Sequence, residues 1–130
     1  MITLIHFLLV GLGDAIGAMA RHGVNMASLK LIGPDFPYGT LTANILGSLL
    51  IGILAGCFAH FASWTQEMRL LLVVGVLGGF TTFSSFSLDT ILLFEKGATT
   101  QAILYVVTSF VVSLSATMAG LWFIRQVAQI

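Results

Sequence analysis

Four stretches of this chain are almost uninterruptedly apolar, and each is long enough to cross a bilayer as a helix, which takes about 20 residues. They run roughly from Leu4 to Asn25, Gly39 to Phe61, Met68 to Phe94 and Thr99 to Val127. A polar loop carrying Lys30, Gly33-Pro34-Asp35 and Pro37 separates the first two by turn chemistry and loss of a backbone donor. Ser63-Trp64-Thr65-Gln66-Glu67 separates the second from the third, with Trp64 where an interfacial aromatic anchor belongs, and Glu95-Lys96-Gly97 precedes the fourth. Apolar and polar residues nowhere alternate with period two, so no strands are expected. The pattern predicts an all-α integral membrane protein in which residues 1–130 form a single four-helix transmembrane domain. The stretch Met1 to Val10 lacks a basic flank and equally apolar segments follow it, so it reads as the start of a span and not as a cleaved signal.

Composition sharpens this reading. Hydrophobic residues make up 58% of the chain and charged residues 8%, against about 25% charged in soluble domains. Mean hydropathy is +1.06, so lipid and not water is the expected solvent. Five Lys and Arg balance five Asp and Glu with no basic run, which excludes nucleic acid as a partner. Cys57, the only cysteine, lies in an apolar run and can form no internal disulfide. His6, His22 and His60 fall near span ends, and no nucleophile has a base and an orienting acid at readable spacing. No Walker sequence is present either, so neither an enzyme nor ATP drive is expected.

An even number of spans puts Arg69 and Arg125 in one compartment and Arg21, Lys30 and Lys96 in the other. Two against three is hardly a bias. Either the extra basic residue fixes one orientation, or the chain inserts both ways and opposite copies pair as an antiparallel, dual-topology homodimer; charge alone leaves both open. Gly13 and Gly17 in the first span, and Ser48, Gly52 and Gly56 in the second, mark faces where helices approach closely.

The third span holds Gly75-Val76-Leu77-Gly78-Gly79-Phe80-Thr81-Thr82-Phe83-Ser84-Ser85-Phe86-Ser87, glycines and hydroxyls at what should be mid-membrane depth. Each Gly weakens a helix interior by about 1 kcal/mol relative to Ala, and a local break is expected there, tolerated only where protein or a water-filled cavity receives the freed backbone groups. The alternative is an unbroken helix whose glycines admit a neighbour and whose hydroxyls bond back one turn. Phe83 and Phe86, three apart, share a face, and the positive edge of a phenyl ring suits a small anion. In the fourth span Tyr105, Ser109, Ser113 and Thr117 recur every four residues, and in the second Thr40, Asn44 and Ser48 do the same. Interhelical hydrogen bonds of about 0.6 kcal/mol each explain either stripe alone; two stripes beside a Phe pair favour a pore.

The run Gly78 to Ser87 resembles the signature of the fluoride channel family known as Fluc or CrcB. Gly11-Leu12-Gly13, Gly17-Ala18 and Arg21 are similar to that family's first span, and Gly39-Thr40-Leu41-Thr42-Ala43-Asn44 to the start of its second. The resemblance implies an antiparallel homodimer in the bacterial inner membrane, with two pores that export fluoride passively. It also implies a structural sodium ion at the dimer interface, held by the backbone carbonyls of Gly78 and Thr81. Phe83 and Phe86 would line the fluoride path by their ring edges and Asn44 would donate amide hydrogens. Tyr105, Ser109 and Ser113 fall where the family's fourth span carries polar residues. Arg21 would either snorkel to the interface or form part of an electropositive vestibule.

Two acids depart from the family's pattern. Asp89 stands where Glu is expected, and Asp14 where a small neutral residue is. A lone acid in the first of four short spans resembles the small multidrug transporters, so a proton-coupled cation exporter using Asp14 is the alternative function. That reading gives Gly78 through Ser87 no purpose; otherwise Asp14 would face the vestibule or pair with Arg21. A helix-packing subunit of a larger complex is a third reading, which the two polar stripes oppose.

Overall fold

Residues 3–129 are described by a computed structural model, and among them four helices are long and apolar enough to span a membrane. These are α1 (Leu4–Leu31), α2 (Tyr38–His60), α3 (Gln66–Glu95, interrupted) and α4 (Thr99–Ala128). No strand occurs among the described residues.

The first helix continues past Asn25 to Leu31, so Lys30 lies in its last turn and not in a loop. Its position there is favourable, because a cation complements the partial negative charge of a helix C-terminus. The true stop is Gly33. At φ +112° it takes a conformation that costs glycine little, and the amides of Ile32 and Gly33 both return to the carbonyl of Ser28. Between α2 and α3, Trp64 packs edge-on against Phe58 with ring centres 5.1 Å apart, while the Thr65 hydroxyl accepts the Met68 amide and starts α3.

Small residues, not large ones, set the packing. α2 lies along α4, where the backbone of Thr117 occupies the space a side chain at Gly52 would need and Leu49 O stands 2.6 Å from a Cβ placed on Gly120. α1 lies along the first part of α3. There a Cβ on Gly13 or Gly17 would strike the carbonyl of Leu71 or Val76, and one on Gly79 would strike the backbone of Asp14. Van der Waals packing of this kind is the chief attraction between helices where lipid removes the hydrophobic drive. Large apolar side chains accordingly point outward, among them Leu4, Phe7, Leu12, Met19 and Leu114, and among the described residues Tyr105 is the one large side chain fully buried.

The third helix changes form along its length. After an α-helical turn, Leu70–Leu77 adopts the wider π form, and the amide of Gly78 reaches back to Val73 O. Gly78–Phe80 returns to α, Thr81 (φ −90°, ψ 156°) and Thr82 (φ −152°, ψ 120°) are extended, and the helix resumes over Phe83–Glu95. The interruption therefore falls on the threonines and not on the glycines. Gly78 and Gly79 keep helical geometry, and Gly79 serves close approach to α1.

Gly17→Ala is expected to destabilise the bundle by about 1–3 kcal/mol, since its Cβ meets backbone that cannot rotate away. Gly11→Ala, with open space around the added carbon, is expected to leave the melting temperature in detergent unchanged or raised. Equal effects of the two substitutions would show that this seam does not set the stability.

Candidate ion-binding site

Interrupting a helix frees backbone amides and carbonyls that need other partners. Asn44 of α2 supplies two of these. Its Oδ1 accepts the Thr82 amide at 2.8 Å and its Nδ2 donates to the Thr82 carbonyl at 3.0 Å. From α1, Arg21 Nε donates to the Gly79 carbonyl at 3.0 Å. The Thr82 hydroxyl accepts the Ser85 amide at 3.1 Å and caps the second part of α3, while the Thr81 hydroxyl bonds back to Leu77 O. A continuous helix would aim the amides of Thr82 and Ser85 at the carbonyls of Gly78 and Thr81. Both amides are engaged elsewhere.

Beside the interruption lies a cavity of about 370 Å³. Asn44 and Ser48 border it from α2, Gly78, Thr81, Thr82, Phe83 and Phe86 from α3, and Ser109, Phe110 and Ser113 from α4. No charged residue lines it. Its polarity is that of neutral groups, and one of them is orphaned: Ser109 is buried and its Oγ has no hydrogen-bond partner. The Phe83 and Phe86 ring centres are 5.6 Å apart with planes tilted by 49°, and Phe110 meets Phe86 at 88°. Phe83 is largely exposed at 72% and Phe86 is buried.

Tyr105 does not line this cavity. Fully buried, it packs its ring 5.1 Å from that of Phe86 and donates its hydroxyl to Asp89 Oδ2 at 3.1 Å. Asp89 in turn borders a second cavity of about 430 Å³, shared with Asn25, Thr40, Ser85 and Lys96. The two polar stripes thus divide. The Ser48 hydroxyl bonds back to Asn44 O while Ser48 borders the first cavity with Asn44, Ser109 and Ser113, whereas Thr117 donates to Ser48 O and serves packing.

Asp14 borders neither cavity and does not pair with Arg21. Its carboxylate stands beside Gly79 on the exposed side of the seam between α1 and α3. Among the described residues the only ion pair is His6 with Glu67 at 3.7 Å, and no three His, Cys, Asp or Glu residues gather to hold a metal. Two contributors lay beyond the sequence pattern. Phe110 is one more apolar residue in an apolar run, and Arg21 sits at a distance of 58 residues from the carbonyl it binds. Only the position of Phe110 between Ser109 and Ser113 pointed to the site.

Four apolar helices, the third interrupted beside a cavity that carries neutral polar groups, define a multi-pass integral membrane protein. The model of the family described as CrcB-like protein, Camphor Resistance (CrcB), matches residues 8–121, and the chain belongs to that family. It is 52% identical over 118 residues to the fluoride-specific ion channel FluC of Agrobacterium fabrum (strain C58), covering 91% of this chain and 94% of the relative. Identity to the protein of that name from Rhodopseudomonas palustris (strain BisB5) is 47% over 121 residues, covering 93% and 98%. For that of Sphingopyxis alaskensis it is 52% over 117 residues, covering 90% and 93%.

Because its hydroxyl has no partner to lose, Ser109→Ala is expected to leave thermal stability unchanged or slightly raised. Thr82→Ala, which removes the cap of the Ser85 amide, is expected to destabilise by about 1 kcal/mol. Thermal unfolding of the two purified variants in one detergent checks the ordering, and a larger loss for Ser109→Ala would mean that its hydroxyl is bonded.

Proposed function

We propose that this protein is a fluoride-selective channel of the bacterial inner membrane that lets fluoride leave the cytoplasm passively. The observation that carries the reading is a cavity at the helix interruption lined by phenylalanines, an amide and an orphaned hydroxyl but by no charge. A small, strongly hydrated anion gives up water only where donors replace it, and it conducts only where several weak sites let it leave again. Phe83 and Phe86 offer ring edges, Asn44 retains one amide hydrogen beyond the one given to Thr82, and Ser109 and Ser113 offer hydroxyls. Tyr105 acts from behind, fixing the Phe86 ring and holding Asp89. The named relatives are fluoride-specific channels, which agrees with this reading and gives the drug-exporter alternative no support. Asp14, outside both cavities, adds none.

Two copies are proposed to pair in opposite orientations, with the α3 interruption at mid-membrane depth and a structural sodium ion between them. The near balance of basic residues, two against three, supports both orientations. The donor set suits the ion, because hard cations take oxygen ligands and the carbonyls of Gly78 and Thr81 are the two whose helical amide partners are engaged elsewhere. Gly78 and Thr81 of each copy would hold it through backbone alone, so Thr81→Ala should be mild.

Efflux from liposomes decides the function. Fluoride is expected to leave and chloride to stay, while equal or absent fluxes would refute the channel. Phe83→Ile and Phe86→Ile are each expected to abolish fluoride efflux while the assembled protein still elutes at the parental size, because Ile keeps apolar bulk without the ring's positive edge. A correctly assembled double variant conducting at the parental rate would remove both rings from the path. Asn44→Ala should reduce efflux. Terminal tags scored from both sides of the membrane test the orientation, and labelling on one side alone would end the antiparallel dimer.

A further inference from the structure

The bonds that α1 and α2 send to the interruption share one property. They occupy groups that the continuous helix would need. In an unbroken α3 the Thr82 amide would bond to Gly78 O and the Phe83 amide to Gly79 O, four residues back. Asn44 Oδ1 takes the Thr82 amide, and Arg21 Nε takes Gly79 O. Asn44 Nδ2 adds a bond to Thr82 O, so one side chain grips both polar groups of one residue, as a neighbouring strand would. The flanking sequence does not force the chain apart by itself. Gly78 has helical angles, no proline lies within Gln66–Glu95, and threonine departs from the best helix formers by less than about 0.7 kcal/mol.

The geometry points to Arg21 and Asn44 as positioning residues that keep α3 from annealing into one continuous helix, α1 and α2 each supplying a bond that competes with helix closure. The two reach the chain from opposite flanks, one on the carbonyl before Thr81 and Thr82 and one on the second threonine itself. What they leave uncovered is as important as what they hold. The Gly78 and Thr81 carbonyls receive no side-chain donor from either residue. For Arg21 this is a role of the Nε–H group and its place along the side chain, distinct from any role of the positive charge.

A pair of substitutions separates the two. Gln at position 21 carries its Nε2 the same number of bonds from the backbone as Arg carries Nε, so Arg21→Gln keeps the donor and loses the charge. Arg21→Met has similar reach and loses both. The backbone conformation is read from the 13Cα chemical shifts of Thr81 and Thr82 in the full-length protein in detergent or nanodiscs. Parental protein and Arg21→Gln are expected on the extended side of the random-coil value, and Arg21→Met and Asn44→Leu shifted to the helical side. If Arg21→Gln and Arg21→Met give the same shifts, or if Asn44→Leu stays extended, the inference is overturned. Should Asn44→Leu fail to fold, the Arg21 pair decides alone, because Gln and Met occupy nearly equal volume. The shifts are measured without any ion flux, so they stand or fall separately from the channel reading.

Discussion

Backbone amides and carbonyls that leave a helix inside lipid must find partners in the protein, and the bonds from Asn44 to both polar groups of Thr82 meet that demand where α3 is interrupted. Around this contact the other features fall into place. With the Thr82 amide held by α2, its hydroxyl is free to cap the Ser85 amide, and the helix can restart at Phe83. Restarting there puts Phe83 and Phe86 on the cavity wall facing Ser109 and Ser113 of α4. The same cavity is then closed by α2 lying along α4, a fit that depends on Gly52 and Gly120 having no side chains.

The bundle is built of two pairs, α1 with the first part of α3 and α2 with α4; α1 also packs against α2, and at the interruption a side chain from each pair meets the backbone of α3. Arg21 reaches it from one pair and Asn44 from the other. Stability and site are therefore not separate layers. A change in the seam between α1 and α3, where Gly13 and Gly17 meet α3 backbone, would also move the donor that holds Gly79 O. Two of the cavity-lining groups, in contrast, are weakly committed to the fold. Ser109 makes no bond and Phe83 is mostly exposed.

Much of this could be read from the amino-acid order, for identifiable reasons. The four spans follow from apolar length, which in lipid is nearly sufficient. The cavity residues Asn44, Ser109 and Ser113 stand out because polar side chains are costly to place in a membrane without purpose, and Phe83 and Phe86 stand out by their place in the glycine and hydroxyl run of α3. Other features depend on three-dimensional contacts. The end of α1 was set too early because Lys30 looks like a loop residue, while only Gly33 has the backbone geometry that stops the helix. Adjacent glycines followed by two threonines predict a break, and it falls on the threonines, while Gly79 keeps helical geometry and admits the approach of Asp14. The stripes looked uniform, but whether a hydroxyl faces the cavity, as at Ser109, or a neighbouring carbonyl, as at Thr117, depends on which helix lies opposite.

The π form of Leu70–Leu77 carries a consequence for how this chain can change in length. A π turn holds one residue more between bonded partners than an α turn, so the segment contains more chain than the same rise of α-helix would take. Losing one residue there would let the segment tighten to α while the helix beyond keeps nearly the same facing, so Gly79 stays against Asp14 and the threonines stay against Asn44. A residue lost from a part of the span that is already α has no such slack and rotates everything beyond by about 100°. Between the turn at Thr65 and the helix restart at Phe83, the π segment is therefore the one place where the span can shorten by a residue without misplacing its interruption.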